Sequence, residues 1–171
     1  DVGLPELSAY IELALKKKSN VVVDLYKEHH VLHAMCGFYN SEFEEADVVV
    51  VDGMGNNNEV ASRFRVSRPS SIQLLEKHTD IGIGMVYSSI SEYLGFGQLG
   101  SGKVMGLASY GKVGGDKLED KAQELQQDTK QMTIELIKKA LTYSNSKNIV
   151  LSGGYALNCV NNYDYVKHFK D

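Results

Sequence analysis

The sequence contains no tryptophan, and only two of its 171 residues are proline and two are cysteine. A chain with so few cysteines does not depend on a disulfide scaffold. Cys36 and Cys159 have no metal-ligand spacing and fall in segments predicted to be helical, so we expect reduced, buried thiols of a cytoplasmic protein. The sequence also lacks a signal-peptide pattern and any apolar run long enough to cross a membrane.

An excess of positive charge is absent too, because 18 lysines and arginines are outnumbered by 22 aspartates and glutamates. Without a basic tract interleaved with aromatic residues, nucleic acid is not an expected partner. The length is sufficient for one domain with its own core. The chain begins at Asp1 and enters a predicted helix almost at once. We therefore predict an internal segment of a longer protein, and the pattern carries no information on its oligomeric state.

Apolar periodicity predicts strands that alternate with helices. Strands are predicted at 21–23, 46–52, 59–66 and 149–151, and helices at 5–18, 29–39, 84–94, 118–143 and from about 155. The turn Asn56–Asn58 predicts a hairpin between the second and third strands. Residues 71–78 fit no single element, and the glycine-rich stretch 95–115 is predicted to be a loop with one helical turn at 104–108. The order indicates an α/β protein with a mixed sheet flanked by helices.

Three histidines lie together at the start of the second predicted helix. His29 and His33 are four residues apart and therefore share a face of that helix. Asp52 ends a strand of four valines and can reach this face from the sheet. Two imidazoles and one carboxylate form the ligand set of iron sites, whereas magnesium prefers oxygen ligands alone. We predict a divalent, iron-like metal on these residues; the alternative is that the histidines are ordinary core or surface residues.

The neighbouring His30 is rotated about 100° from His29 around the helix axis. It is therefore predicted to contact the substrate or a phosphate, with general base as a candidate role, or to support the metal ligands from behind. Because position 30 is not glutamate, the H-E-x-x-H pattern of metalloproteases is excluded.

Two glycine turns and one glycine-rich stretch are candidates for binding phosphate. Gly53 and Gly55 follow Asp52, where their N–H groups can face an anion, although Asp-Gly is also a common hairpin turn. A second turn joins a strand to a helix and contains Gly153, Gly154 and Asn158. Its alternative is a tight turn without a ligand. Lys103 lies among four glycines and is predicted to be a mobile anion contact or part of a surface loop.

Four sequence blocks occur in order between about residues 20 and 162: HHVLHAMCGFY, VVVVDGMG, GKVMGLASYG and IVLSGGYALNCVNN. Together they resemble the O-carbamoyltransferase family of nodulation-factor and antibiotic biosynthesis, and the stretch Ala122–Gln126 fits as well. The sequence departs from the family pattern at Glu42, at Ser109 and at Asn56–Asn58, which delays the glutamate after the D-G-x-G turn. The metal ligands are intact.

The resemblance implies an actin-like ATPase fold, related to the domain that transfers threonylcarbamoyl to tRNA. In that family an H-x-x-x-H pair and the aspartate of the D-G turn hold an iron-like metal, which maps onto His29, His33 and Asp52. The Gly-Gly segment, here Gly153 and Gly154, lines the nucleotide site.

The resemblance also implies that Asn158 and Lys103 lie in matching motifs. Family members make carbamoyl-adenylate from carbamoyl phosphate and ATP in a C-terminal domain, and transfer the carbamoyl group to a small-molecule hydroxyl acceptor. On this basis residues 1–171 would be the central part of the transferase domain, without the preceding strands, the last metal ligand or the adenylate-forming domain. A magnesium-dependent phosphotransferase of the same fold and a non-catalytic nucleotide-binding module are the alternatives.

Overall fold

The computed structural model describes residues 27–80, 82–144 and 146–170. The helix predicted at 5–18 and the strand predicted at 21–23 lie outside the described residues. The helices are α1 (His29–Tyr39), α2 (Ile83–Tyr93), α3 (Ser101–Ala108), α4 (Leu118–Tyr143) and α5 (Cys159–His168), with a 3₁₀ turn at Gly154–Leu157. The strands are β1 (Glu45–Val51), β2 (Ala61–Ser67), β3 (Ser71–His78) and β4 (Ile149–Ser152).

The four strands form one mixed sheet in the order β3-β2-β1-β4. β2 runs antiparallel to both β1 and β3, whereas β4 runs parallel to β1. β1 is central because its run Val48–Val51 is apolar on both faces, and every residue of that run is at most 3% exposed. The predicted α/β class with a mixed sheet is confirmed.

Alternate valines of β1 anchor two helical layers. Val48 and Val50 pack against Ala34 and Phe38 of α1 on one face of the sheet. Val49 and Val51 pack on the other face, in a core shared with α2, α3 and α4. Because side chains alternate across a strand, one short strand holds helices on both faces. The end of β1 therefore lies between α1 and the helices of the opposite layer.

Two segments differ from their prediction. Residues 71–78 form β3, the outer strand of the described sheet, which periodicity did not identify because the adjacent Leu74 and Leu75 break the alternation. The glycine-rich stretch contains an eight-residue helix, α3, in place of the predicted single turn. Its buried residues Val104 and Ala108 are one turn apart and belong to the core shared with α4, so packing outweighs the low helix propensity of glycine.

The last helix also starts later than predicted. The 3₁₀ turn Gly154–Leu157 comes first, and α5 begins at Cys159 because Asn158 accepts a hydrogen bond from the N–H of Asn161 as the N-cap. The cysteines do lie in helices, but the expectation of burial was wrong, since Cys36 and Cys159 are both exposed. None of the helices among the described residues is both long and apolar enough to cross a membrane.

Candidate metal centre and adjoining cleft

The structure brings His29, His33 and Asp52 together where α1 meets the end of β1. The Nε2 atom of His29 lies 2.7 Å from Oδ2 of Asp52, and Nε2 of His33 lies 3.5 Å from the same oxygen. The two imidazole nitrogens are 3.1 Å apart. Each side chain is partly exposed, so one atom from each residue converges on a point that solvent can reach.

These separations fit a shared ion. Donor atoms that each lie about 2.1 Å from one metal are about 3.0 Å apart at octahedral angles and about 3.4 Å apart at tetrahedral angles. Of the three observed separations, 3.1 Å lies within that range, whereas 2.7 Å is somewhat shorter and 3.5 Å slightly longer. A metal held by these two nitrogens and one oxygen would also keep its remaining coordination positions open. The donor set therefore suits a transition metal that must bind a further ligand.

The backbone of the second glycine turn orients the carboxylate. The N–H of Gly154 donates to Oδ1 of Asp52 at 2.9 Å, which leaves Oδ2 to face the imidazoles. Burial alone would raise the pKa of Asp52. The Gly154 N–H, the His29 ring and the Gly53 N–H favour its charged form more strongly, so the pKa of Asp52 is below its ordinary value. The site thus keeps a charged ligand ready at neutral pH.

His30 does not join the other two histidines. It is only 1% exposed, and its Nδ1 lies 2.8 Å from the hydroxyl of Ser62 on β2. Its Nε2 is buried without a hydrogen-bond partner among the described residues. Burial lowers the pKa of His30, against the opposing effect of the carboxylates of Glu59 and Asp52. The structure thus places His30 behind the ligand triad, between α1 and β2.

Gly55 adjoins this buried histidine. A Cβ at Gly55 would lie 2.5 Å from Oε2 of Glu59 and 3.3 Å from Nε2 of His30. The N–H of Gly55 donates to the carbonyl of Glu59 at 2.7 Å, closing the turn that carries the three asparagines. The observed contacts of Gly55 are therefore those of a tight turn, which returns Glu59 to the protein interior.

A cleft of about 520 Å³ opens beside Asp52. Its lining includes three of the predicted nucleotide-site residues, Gly53, Gly154 and Asn158. The other walls come from α2 and α3 and from the residues around them: Gly84, Tyr87, Ser88, Gln98, Leu99, Ser101, Gly102, Met105, Tyr155 and Leu157. Asp52 thus belongs both to the ligand triad and to the cleft wall.

Two helices begin at this cleft. Gly84 lies in the first turn of α2, and Ser101 and Gly102 lie in the first turn of α3. The first N–H groups of a helix have no partner within it and carry its positive partial charge. The cleft therefore combines backbone donors from two helices with the apolar side chains of Leu99 and Met105. Such a lining suits a ligand with an anionic group and an apolar ring.

Two other predicted residues have different surroundings. Lys103 is exposed on α3, and its ammonium lies 6.0 Å from the centre of the Phe96 ring. Gly153 has φ +96°, and a Cβ there would lie 2.3 Å from the carbonyl oxygen of Val51. Glycine is required at position 153 because the ends of β4 and β1 approach closely there. This close approach also places Gly154 next to Asp52.

Sequence reasoning missed the cleft walls from α2 and a buried polar network below them. Tyr87, Gln126 and Asn161 belong to that network and are each at most 4% exposed. One signal was available: Gln126, Thr129 and Thr133 interrupt the apolar face of α4 at helical spacing. Polar residues at core positions require hydrogen-bond partners and therefore mark a network.

Comparisons with known proteins show the family of this chain. Residues 4–145 match the family described as Carbamoyltransferase N-terminus. The chain is 32% identical over 116 residues to an uncharacterized protein, sll1178, of Synechocystis. It is 31% identical over 87 residues to the nodulation protein NolNO of Sinorhizobium fredii, and 36% identical over 84 residues to the nodulation protein NolO of Bradyrhizobium diazoefficiens.

These matches cover 61%, 50% and 48% of the chain, in the same order. The chain spans only 17%, 12% and 15% of the relatives' own lengths. The residues described above are thus a small part of proteins of that size.

Proposed function

Because this chain belongs to the carbamoyltransferase N-terminus family, we propose that it contributes a metal-bearing transfer site to a carbamoyltransferase. The full-length protein would make carbamoyl-adenylate from carbamoyl phosphate and ATP and transfer the carbamoyl group to a hydroxyl of a small-molecule acceptor. The described sheet and helices would be part of an actin-like ATPase fold. The observation that supports this proposal is that His29 and His33 converge on Asp52, which is also part of the wall of an anion-suited cleft.

His29, His33 and Asp52 would hold a divalent, iron-like metal. When bound, such an ion supplies Lewis-acid polarisation of a carbonyl, an effect worth several kcal/mol in a transition state. The protein's part is to keep the three donors together before binding. Asp52 is held by the Gly154 N–H, and both histidines project from one helix whose first turn is fixed against β2.

The cleft would bind the adenylate. Its phosphate would lie near the N–H groups of Gly53 and Gly154 and the first turns of α2 and α3, where the helix ends favour negative charge. The apolar side chains of Leu99 and Met105 provide a surface for a base. Because Asp52 belongs to the wall of the same cleft, the carbamoyl group of a bound adenylate would lie beside the metal ligands.

The transfer itself is an acyl transfer. The acceptor oxygen forms a bond to the carbamoyl carbon, and the bond from that carbon to the adenylate phosphate oxygen breaks. AMP leaves with the electron pair, and its phosphate takes the proton of the acceptor hydroxyl. Of the roles predicted for His30, we propose the one behind the metal ligands, because His30 is buried between α1 and β2 and bonded to Ser62.

The test is the substitution His33→Ala in the full-length protein. We expect it to abolish bound metal and carbamoyl transfer together, because the two remaining donors, His29 and Asp52, are too few to hold the metal. Metal content per chain and carbamoylated product formed from carbamoyl phosphate and ATP are the two measurements. His168→Ala, at an exposed histidine of α5, is the matched control and should change neither.

Two results would contradict the proposal. If His33→Ala retains both metal and transfer, His33 is not part of the site. If the protein instead phosphorylates its acceptor with ATP and magnesium, and His33→Ala leaves that reaction intact, the phosphotransferase alternative is correct.

A further inference from the structure

Beneath the cleft lies a buried network of amide and phenol side chains. Gln126 of α4 is at its centre, 3% exposed, and Asn158 and Asn161 at the start of α5 are 6% and 1% exposed. Tyr87 of α2 and Tyr155 of the 3₁₀ turn complete it. Only Asn158, Tyr87 and Tyr155 also line the cleft, so the network connects the cleft floor to the long helix.

Every hydrogen-bonding position of the Gln126 amide is used. Its nitrogen donates to Oδ1 of Asn158 at 2.9 Å and to Oδ1 of Asn161 at 3.0 Å. Its oxygen accepts from Nδ2 of Asn158 at 3.0 Å and from the hydroxyl of Tyr87 at 2.9 Å. An amide has two donors and two acceptor lone pairs, so Gln126 has no capacity left for a ligand.

Two backbone groups fix the direction of these bonds. The N–H of Asn161 is only a donor, and it donates to Oδ1 of Asn158. The carbonyl of Gln126 is only an acceptor, and it receives Nδ2 of Asn161 at 3.1 Å. These two bonds establish which side-chain atom of Asn158 and of Asn161 is the oxygen and which is the nitrogen. The Gln126 amide can then bond to both asparagines in only one orientation. Rotating the Asn158 amide by half a turn would break its two bonds with Gln126 and the cap of α5.

This arrangement leaves one free group on Asn158. Its oxygen is used twice, by Gln126 and by the Asn161 N–H, and its nitrogen donates once, to Gln126. The second N–H of the Asn158 amide has no partner among the described residues. Asn158 lines the cleft, where this N–H is the remaining polar function of its side chain.

We infer that Gln126 is a positioning residue that locks the Asn158 amide, so that Asn158 offers the cleft a hydrogen-bond donor. The inference rests on the proposed function, because the ligand is taken to be the adenylate. The inference predicts which ligands the cleft accepts. A ligand must place a hydrogen-bond acceptor opposite Asn158, and that acceptor can be a phosphate oxygen, a sugar oxygen or a ring nitrogen. A free asparagine turns to suit a donor or an acceptor, whereas this one is held in one orientation.

The experiment is a double-mutant cycle on nucleotide binding in the full-length protein. Asn158→Ala removes the donor, and Gln126→Met removes the lock while keeping the length of the side chain. Asn158→Ala is expected to raise the dissociation constant for ATP or AMP about tenfold, the effect of one neutral hydrogen bond. Gln126→Met is expected to raise it by a smaller factor, because the released Asn158 amide can still turn its N–H toward the ligand. The double variant should also show about a tenfold loss, because Gln126 acts only through Asn158.

Gln131→Met is the matched control, since Gln131 lies on the same helix but is exposed and bonds to Glu135. It should bind nucleotide as the unchanged protein does. Metal content is measured in all variants and should not change. If Gln126→Met does not fold, Gln126→Glu serves instead, because it retains the acceptors for Tyr87 and Asn158 but has no amide donors.

The possible outcomes distinguish a failure of the inference about Gln126 from a failure of the proposed function. Unchanged nucleotide binding by Gln126→Met, or a hundredfold loss in the double variant, overturns the inference and leaves the proposed function standing. If the unchanged protein binds neither ATP nor AMP, the proposed function fails and the inference fails with it.

Discussion

At the scale of single residues, Gly84 controls how closely α2 approaches Asp52, a proposed metal ligand. A Cβ at Gly84 would lie 2.4 Å from the carbonyl oxygen of Asp52 and 2.7 Å from the N of Gly53. These are backbone atoms, which cannot turn aside as a flexible side chain does. The first turn of α2 therefore packs directly on the peptide between Asp52 and Gly53, and any side chain at position 84 must displace that peptide.

Gly84→Ala is expected to lower the free energy of unfolding by about 1–3 kcal/mol, the usual effect of overpacking. It should also weaken metal binding, because the displaced peptide carries Asp52. Gly106→Ala is the matched control in α3, where a Cβ meets nothing within 4 Å. There alanine should leave stability unchanged or raise it by about 0.5–1 kcal/mol. Urea unfolding and metal titration measure both effects; equal responses of the two variants would contradict the packing argument.

The convergence of His29, His33 and Asp52 was predictable from the sequence, whereas the role of Gly84 was not. His29 and His33 are four apart on one helix, so their shared face follows from local geometry alone. Asp52 follows from the end of an apolar strand. Gly84 acquires its role from a contact across 32 positions of sequence, and no local pattern indicates it. His30 shows the same limit: its rotation away from His29 was predictable, but its enclosure by β2 depends on tertiary packing.

At the scale of elements, two strands hold the ligand helix α1. The imidazole of His30 is bonded to the Ser62 hydroxyl of β2 at 2.8 Å. On the other side, the Ser152 hydroxyl of β4 donates to the carbonyl of His33 at 2.7 Å. Since β2 and β4 flank β1 in the sheet, these bonds fix α1 over the strand that ends at Asp52.

Ser62→Ala should lower the free energy of unfolding by about 1–3 kcal/mol, because it leaves the buried Nδ1 of His30 without its partner. It should also weaken metal binding, since the helix bearing His29 and His33 loses a hydrogen bond that holds it to the sheet. Ser67→Ala, on the same strand but only partly buried, is the control and should alter neither quantity by much. If Ser62→Ala binds metal as tightly as the unchanged protein, the bond to His30 does not position the ligands.

Elements with strong periodicity were predicted closely, and elements that depend on partners were not. α4 was found from its apolar spacing, and its bounds Leu118–Tyr143 agree with the prediction. In β3 the alternation breaks at the adjacent Leu74 and Leu75, where the pairing with β2 is irregular. α3 contains two glycines, Gly102 and Gly106, and is helical because Val104 and Ala108 find a core to pack into.

At the scale of the whole molecule, the site depends on the parallel pairing of β1 with β4. Val50 pairs with Ser152, so the two strands end at the same edge of the sheet. This pairing brings Gly154 to Asp52 across 102 positions of sequence. The carboxyl ends of parallel strands are where α/β proteins bind ligands. The alternation of strands and helices predicted the mixed sheet, but the cleft requires α2 and α3 to fold over that edge, which no local pattern specifies.

A metal that joins α1 to the end of β1 should therefore stabilise the folded molecule as a whole. A ligand that binds only the folded state adds about 2.7 kcal/mol at 100 times its dissociation constant. We expect added iron(II) to raise the midpoint of thermal unfolding, and a chelator to reverse the rise. Asp52→Asn should abolish the shift, because a neutral amide is a weaker ligand than a carboxylate. Asp164→Asn, which removes only an ion pair with Lys130 between α4 and α5, should keep it. An equal shift in both variants would show that the ion binds elsewhere.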